Sequence, residues 1–234
     1  MAAITKRMTL LVVISAIGAI AGVLHGSPWL WLHYICKPLT TLLILWLASR
    51  AVEPVSPRYL GAVLAGIALS LVGDVFLMLP YDLFVPGLIA FLLAHLCYIT
   101  AFVADSNFKQ KIAGVAAFAA VGAANLYFLL PKLPAALMIP VLAYVAVLTA
   151  MAGLAAARAW ALRNGDAGLI GASSSAAIGG TLFVLSDSLL AWDKFGGGIA
   201  LSPLWVLASY YAAQWCIARS VDSSKTMKAE KILS

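Results

Sequence analysis

Charge is scarce in this sequence. Asp, Glu, Lys and Arg make up 10% of the 234 residues, against about 25% in an average soluble domain. That shortage excludes soluble enzymes, nucleic-acid binders and disordered proteins. Cysteine is scarcer still. Cys36, Cys97 and Cys216 are odd in number and all lie inside apolar runs, which excludes a disulfide scaffold. The strictly alternating segments of about 10 residues that build a transmembrane β-barrel are missing too. What remains is hydrophobicity, with 64% apolar residues and a mean hydropathy of +1.01. The chain reads as a polytopic membrane protein.

A helix needs about 20 mainly apolar residues to cross the hydrocarbon core. Eight such runs stand between polar or Pro-marked breaks, at 8–24, 31–49, 59–79, 84–104, 111–130, 134–156, 169–191 and 199–218. The expected fold is all-α: one eight-span helical bundle over residues 1–218. The basic tail 219–234 is placed at the anionic cytoplasmic surface. Lys6 and Arg7 before the first run also resemble a secretory signal. That run is long for a signal core and lacks a clear cleavage site, so it is read as an uncleaved span.

With a cytoplasmic N-terminus, the cytoplasmic side collects 12 cations. They are Lys6, Arg7, Arg50, Arg58, Lys109, Lys111, Arg158, Arg163, Arg219, Lys225, Lys228 and Lys231. The opposite side collects only Lys132 and Lys194. The positive-inside rule then places both termini in the cytoplasm. The net charge of +6 is a matter of topology and does not call for nucleic acid. The expected location is the cell membrane, or the inner membrane in a Gram-negative cell. Small residues such as Gly61, Ala65, Gly66 and Ser70 suit close helix packing in lipid. In span seven, Ser173, Ser174, Ser175 and Thr181 are further candidates to line a polar cavity.

Ionisable residues inside spans are costly, and each is a functional candidate. Lys37, Asp74, His95 and Asp187 are four of this kind. At 1.5 Å per residue, Asp74 lies roughly 7 Å from the outer end of its span, Asp187 about 6 Å and Lys37 roughly 9 Å. His95 falls about 16 Å down, near the midplane. Three charges from three helices therefore share one layer, with His95 beneath. Two carboxylates compete for one cation, and the carboxyl left unpaired is least costly in its neutral form. A neutral carboxyl beside an ionised one suits general acid–base chemistry.

Gly87, Phe91, His95, Tyr98 and Phe102 share a helical face, so Tyr98 sits beside the imidazole. Asn125 and Tyr127 lie near the outer end of span five, and Tyr144 and Gln214 are buried in spans six and eight. Ser186 and Ser188 flank Asp187 without a Gly-x-Ser-x-Gly elbow, which argues against a serine nucleophile. The expected depth gap of roughly 8–10 Å between His95 and the carboxylates argues against a metal site. The candidate catalytic pair is Asp74 and Asp187. Lys37, His95, Tyr98, Asn125, Tyr127 and Ser188 form the candidate binding and electrostatic set.

Four strings then carry a resemblance: Lys37-Pro38-Leu39, Ser70 through Met78 (SLVGDVFLM), Gly87…Phe91…Ala94-His95…Tyr98…Phe102, and Gly180-Thr181-Leu182-Phe183…Ser186 through Ala191. In this order, in spans two, three, four and seven, they resemble the YhhN-like lysoplasmalogenase family of eight-span membrane hydrolases. The resemblance implies cleavage of the vinyl-ether bond of lysoplasmalogens, to a fatty aldehyde and a glycerophospho-alcohol, without a cofactor. The partners it implies are the lipid substrate and the bilayer. A membrane carrier or a lipid-binding protein is the alternative class. Its support is the echo of Gly73-Asp74 in Ser186-Asp187, which suggests the parallel repeats that transporters use.

Overall fold

The structure is a computed structural model that describes residues 2–224, with side chains from Arg7 onward. Lys225, Lys228, Lys231 and the rest of the tail beyond Ser224 lie outside the described residues, as does the side chain of Lys6. Among the described residues the chain forms eight α-helices and no strands: α1 Ala2–His25, α2 Leu30–Ser49, α3 Pro57–Met78, α4 Phe84–Phe102, α5 Phe108–Leu129, α6 Ala135–Leu162, α7 Ala167–Phe195 and α8 Ser202–Arg219. Helices are what apolar segments of this length must form, because lipid leaves no other partner for the backbone N–H and C=O groups.

Seven of the eight, α1 to α7, are long and apolar enough to cross a membrane. The protein is therefore a multi-pass membrane protein. Only α8 falls short of that standard, since it carries Ser209, Tyr210, Tyr211 and Gln214. Tyr210, Tyr211 and Gln214 are buried against the other helices, so the polarity of α8 points inward.

Loop contacts fix which helix ends share a side. Val55 N–H donates to Val221 O at 2.9 Å and Ser223 N–H to Glu53 O at 3.1 Å, tying the end of α8 to the α2–α3 loop. Tyr59 at the start of α3 hydrogen-bonds Ser220 at 2.8 Å. Arg158, near the end of α6, donates to Asp105 of the α4–α5 loop at 2.9 Å and stacks over the Tyr59 ring. On the opposite side Lys132, in a short 3₁₀ turn after α5, donates to Gly196 O at 3.4 Å. Lys194 there lies 4.5 Å over the Phe84 ring at the start of α4. The helices thus run alternately up and down, and α8 spans the full height with the rest. Arg50, Arg58, Lys109, Lys111, Arg158, Arg163 and Arg219 gather at the first end, while Lys132 and Lys194 sit at the second.

The expected bounds of spans six and seven move. α6 runs on past 156 to Leu162, and α7 extends beyond both 169 and 191. Arg158, Asp193 and Lys194 stay helical although their charge reads as a break. Asp187 therefore lies eight residues from the end of its helix, about 12 Å deep. That is within about 4 Å of the depth of His95, so the expected gap closes for Asp187, while Asp74, four residues before Met78, stays about 6 Å deep.

Candidate active site

Polar side chains from α2, α3, α6, α7 and α8 converge on a cavity of about 370 Å³ in the half of the bundle that holds Lys132 and Lys194. Glycines place the elements. The Tyr98 ring packs where a side chain on Gly66 would stand, and the Phe91 ring does the same at Gly73, so α3 and α4 lie close together. That contact holds Asp74, one residue after Gly73, against α2 and α8. Pro38 interrupts the α2 hydrogen bonding directly after Lys37.

Asp74 is buried among donors. Thr41 Oγ1 and Tyr210 Oη both donate to its Oδ2, at 2.6 Å and 2.7 Å. Lys37 Nζ stands 3.8 Å from its Oδ1. Behind Tyr210 the donors continue in one direction: Tyr98 Oη donates to Gln214 Oε1 at 2.8 Å, and Gln214 Nε2 to Tyr210 Oη at 3.3 Å. Every group in this chain points its hydrogen toward Asp74. Lys37 is therefore the partner of Asp74 and not of Asp187, which resolves the competition left open by the sequence.

Asp187 sits differently. Tyr144 Oη donates to its Oδ2 at 2.5 Å, and its other oxygen takes no hydrogen bond from the described residues. His95 Nε2 lies 3.0 Å from Tyr144 Oη and 3.9 Å from Asp187 Oδ2. Because the Tyr144 hydrogen is used on Asp187, His95 Nε2 must donate to Tyr144. His95 Nδ1 is buried without a partner among the described residues. The Asp187 side chain is 15% exposed against 2% for Asp74, so it faces the cavity more openly.

The other expected site residues separate. Asn125 and Ser188 line the cavity. Asn125 accepts from Trp192 Nε1 at 2.9 Å, and Ser188 donates back to Val184 O. Tyr98 does not line the cavity and acts on Asp74 only through Gln214 and Tyr210. Tyr127 is a correction: it is 77% exposed on the outer surface of α5, edge-to-face with Phe128 and away from the cavity. The serines of α7 are a second correction. Ser173 and Thr181 donate to carbonyls of their own helix and Ser175 to Cys216 O. Those three hydroxyls serve packing, and with Ser174 they stay off the cavity lining.

His33, Thr41 and Tyr210 are the site residues that reading for charge passed over. His33 and Thr41 stand one helical turn before and after Lys37, and Tyr210 one turn before Gln214. Spacing of three or four residues from a buried polar group is the signal that finds them. The depth argument against a metal site does not survive the 3.9 Å approach of His95 to Asp187. Among the described residues, no group of three His, Cys, Asp or Glu stands close enough to hold a metal ion.

A sequence profile of the YhhN family matches residues 32–221. The chain is 32% identical to lysoplasmalogenase TMEM86B of Sus scrofa over 203 residues, which is 86% of this chain and 79% of the pig protein. It is 29% identical to lysoplasmalogenase TMEM86A of Bos taurus over 209 residues, 86% of this chain and 82% of the bovine protein. It is also 43% identical to membrane protein YhhN of Escherichia coli O157:H7 over 68 residues, 29% of this chain and 32% of that one. No solved structure matches. The matched segment runs from α2 through the end of α8 and includes every residue of the site, so the chain belongs to the YhhN family.

Proposed function

We propose that this protein is a lysoplasmalogenase, an integral membrane enzyme that hydrolyses the vinyl-ether bond of a single-chain ether phospholipid. The observation that carries this reading is the pair of carboxylates on one cavity in unequal surroundings. Thr41, Tyr210 and Lys37 converge on Asp74 and suit it to hold negative charge. Asp187 takes one tyrosine donor and keeps an oxygen toward the cavity, which suits it to deliver a proton. The relatives bear an enzyme's name, so the carrier reading is not favoured.

In the proposed cycle the Asp187 carboxyl protonates the β-carbon of the vinyl ether. The resulting oxocarbenium ion is stabilised by ionised Asp74. Water adds to the cationic carbon and passes a proton to Asp74. Collapse of the hemiacetal resets both groups. Its hydroxyl proton goes to Asp187, while Asp74 protonates the departing glycerol oxygen. One water is consumed, and a fatty aldehyde and a glycerophospho-alcohol leave. Lys37 acts electrostatically here, since a vinyl ether offers no carbonyl for a Schiff base. Lys194 and Asn125 at the rim face the phosphate and glycerol of the head group. The cation-rich end faces the cytoplasm, which puts both termini inside and the cavity in the outer half of the cell membrane.

The test is release of fatty aldehyde from 1-alkenyl-glycerophosphoethanolamine by purified protein in detergent, with no gradient. Asp74→Asn and Asp187→Asn should each lower kcat by about 10²-fold or more, as for removal of a general acid or base. Each variant should remain extractable and folded. Substantial turnover in either would remove that residue from the chemistry.

A further inference from the structure

The cavity has a polar end and an apolar one. Along α5 the apolar lining runs from Leu129 and Leu126 near the rim to Gly122, which lies past Asn125 toward the cation-rich end of the bundle. On α6 it comprises Val145, Leu148 and Thr149, and on α7 Val184. The α5 and α6 residues recur at three- or four-residue spacing, so each of these two helices turns one stripe toward the same space. From Tyr144 to Thr149 this branch follows α6 for five residues, about 7.5 Å.

Helix packing ends the branch abruptly. A side chain on Gly153, one turn past Thr149, would meet the Val115 backbone of α5 at 2.5 Å and 2.6 Å. A side chain on Gly180, one turn past Val184, would meet Ala152 of α6 at 3.1 Å. At that level α5, α6 and α7 touch backbone to backbone. One turn earlier they diverge, and Gly122 leaves its Cβ position to the Thr149 and Val145 methyls, at 2.8 Å and 2.9 Å.

We infer that this branch holds the aliphatic chain of the substrate, and that its floor sets the longest chain admitted beside Asp187. The floor is Gly122, Leu148, Thr149 and Val184. The inference rests on the lipid-hydrolase reading above and adds a chain-length limit to it. The driving force is steric. A chain arriving from the bilayer is already in hydrocarbon and gains little from the transfer itself, so fit against a closed end decides which lengths reach the carboxylates. The head group then stays at the rim near Lys194, with the chain pointing toward the bilayer midplane.

The experiment measures kcat/KM for octenyl, dodecenyl and hexadecenyl lysoplasmalogens in nanodiscs. In parallel it measures the affinity of the matching non-cleavable 1-O-alkyl lipids. Leu148→Phe raises the floor and should lower the hexadecenyl-to-octenyl ratio about tenfold, in line with the penalty for overpacking. Thr149→Leu raises it from a neighbouring position and should act in the same direction. Leu148→Ala deepens the branch and should raise the ratio. A ratio within twofold of the wild type in the variants that fold, or a shift in the same direction for Phe and Ala, overturns the inference. Failure of the wild-type protein to cleave any of the series overturns the functional reading instead. The chain-length profile of the non-cleavable lipids still decides the branch in that case.

Discussion

Tyr144 donates to Asp187 and accepts from His95, so it fixes one carboxylate of the pair without carrying charge itself. Tyr144→Phe keeps the ring and removes the hydroxyl. A hydrogen bond to a charged group contributes about 1.5–3 kcal/mol, so kcat should fall about 10- to 100-fold. KM should change much less, because the ring that borders the chain remains. Steady-state aldehyde release measures both constants, and an unchanged kcat would separate Tyr144 from proton transfer. Lys37, Asp74, His95 and Asp187 are legible in the sequence because an ionisable group in an apolar run carries a large desolvation penalty. Tyr144, Tyr210 and Thr41 are not, because a hydroxyl is common in such runs. Its meaning depends on which carboxylate another helix brings within 3 Å.

At the scale of elements, the helices are held at the cation-rich end by a buried arginine. Arg158 on α6 is 1% exposed, yet it reaches Asp105 before α5 and the Tyr59 ring on α3. Tyr59 in turn binds Ser220 at the end of α8. Asp105 adopts a left-handed backbone at φ 67°, which an Asp tolerates when its side chain is used locally. Arg158→Met keeps much of the apolar stem and removes the charge. The Asp105 side chain is 43% exposed and can be solvated when left alone. The loss should therefore stay near 1–2 kcal/mol, below that for an enclosed pair. A thermal melt in detergent should show a lower Tm with residual aldehyde release retained. An unchanged Tm would mean that the loops are held by backbone contacts alone. Reading for apolar runs placed all eight helices, but it closed α6 at 156 and so counted Arg158 as a loop cation. A charge marks a helix end only when solvent is there to receive it.

For the whole molecule, the asymmetry of charge and the position of the cavity make one statement about orientation. Cations crowd one end, and the cavity opens toward the other, near Lys132 and Lys194. Reporter fusions at Ser234 and in the loop after Pro80 should report opposite sides, with the first cytoplasmic. Both on one side would overturn the eight-pass path and, with it, the placement of the cavity. The sequence by itself determined the all-helical membrane class, the number of helices, the family resemblance and the four intramembrane ionisable residues. Each of these follows from local composition, because lipid penalises polarity residue by residue. Tertiary structure decided which carboxylate Lys37 joins, that His95 stands beside Asp187, and that Tyr127 faces away. It also decided where the cavity ends. These depend on helix rotation and on the level at which glycines let backbones touch. Both are properties of pairs of helices, which no single run of sequence contains.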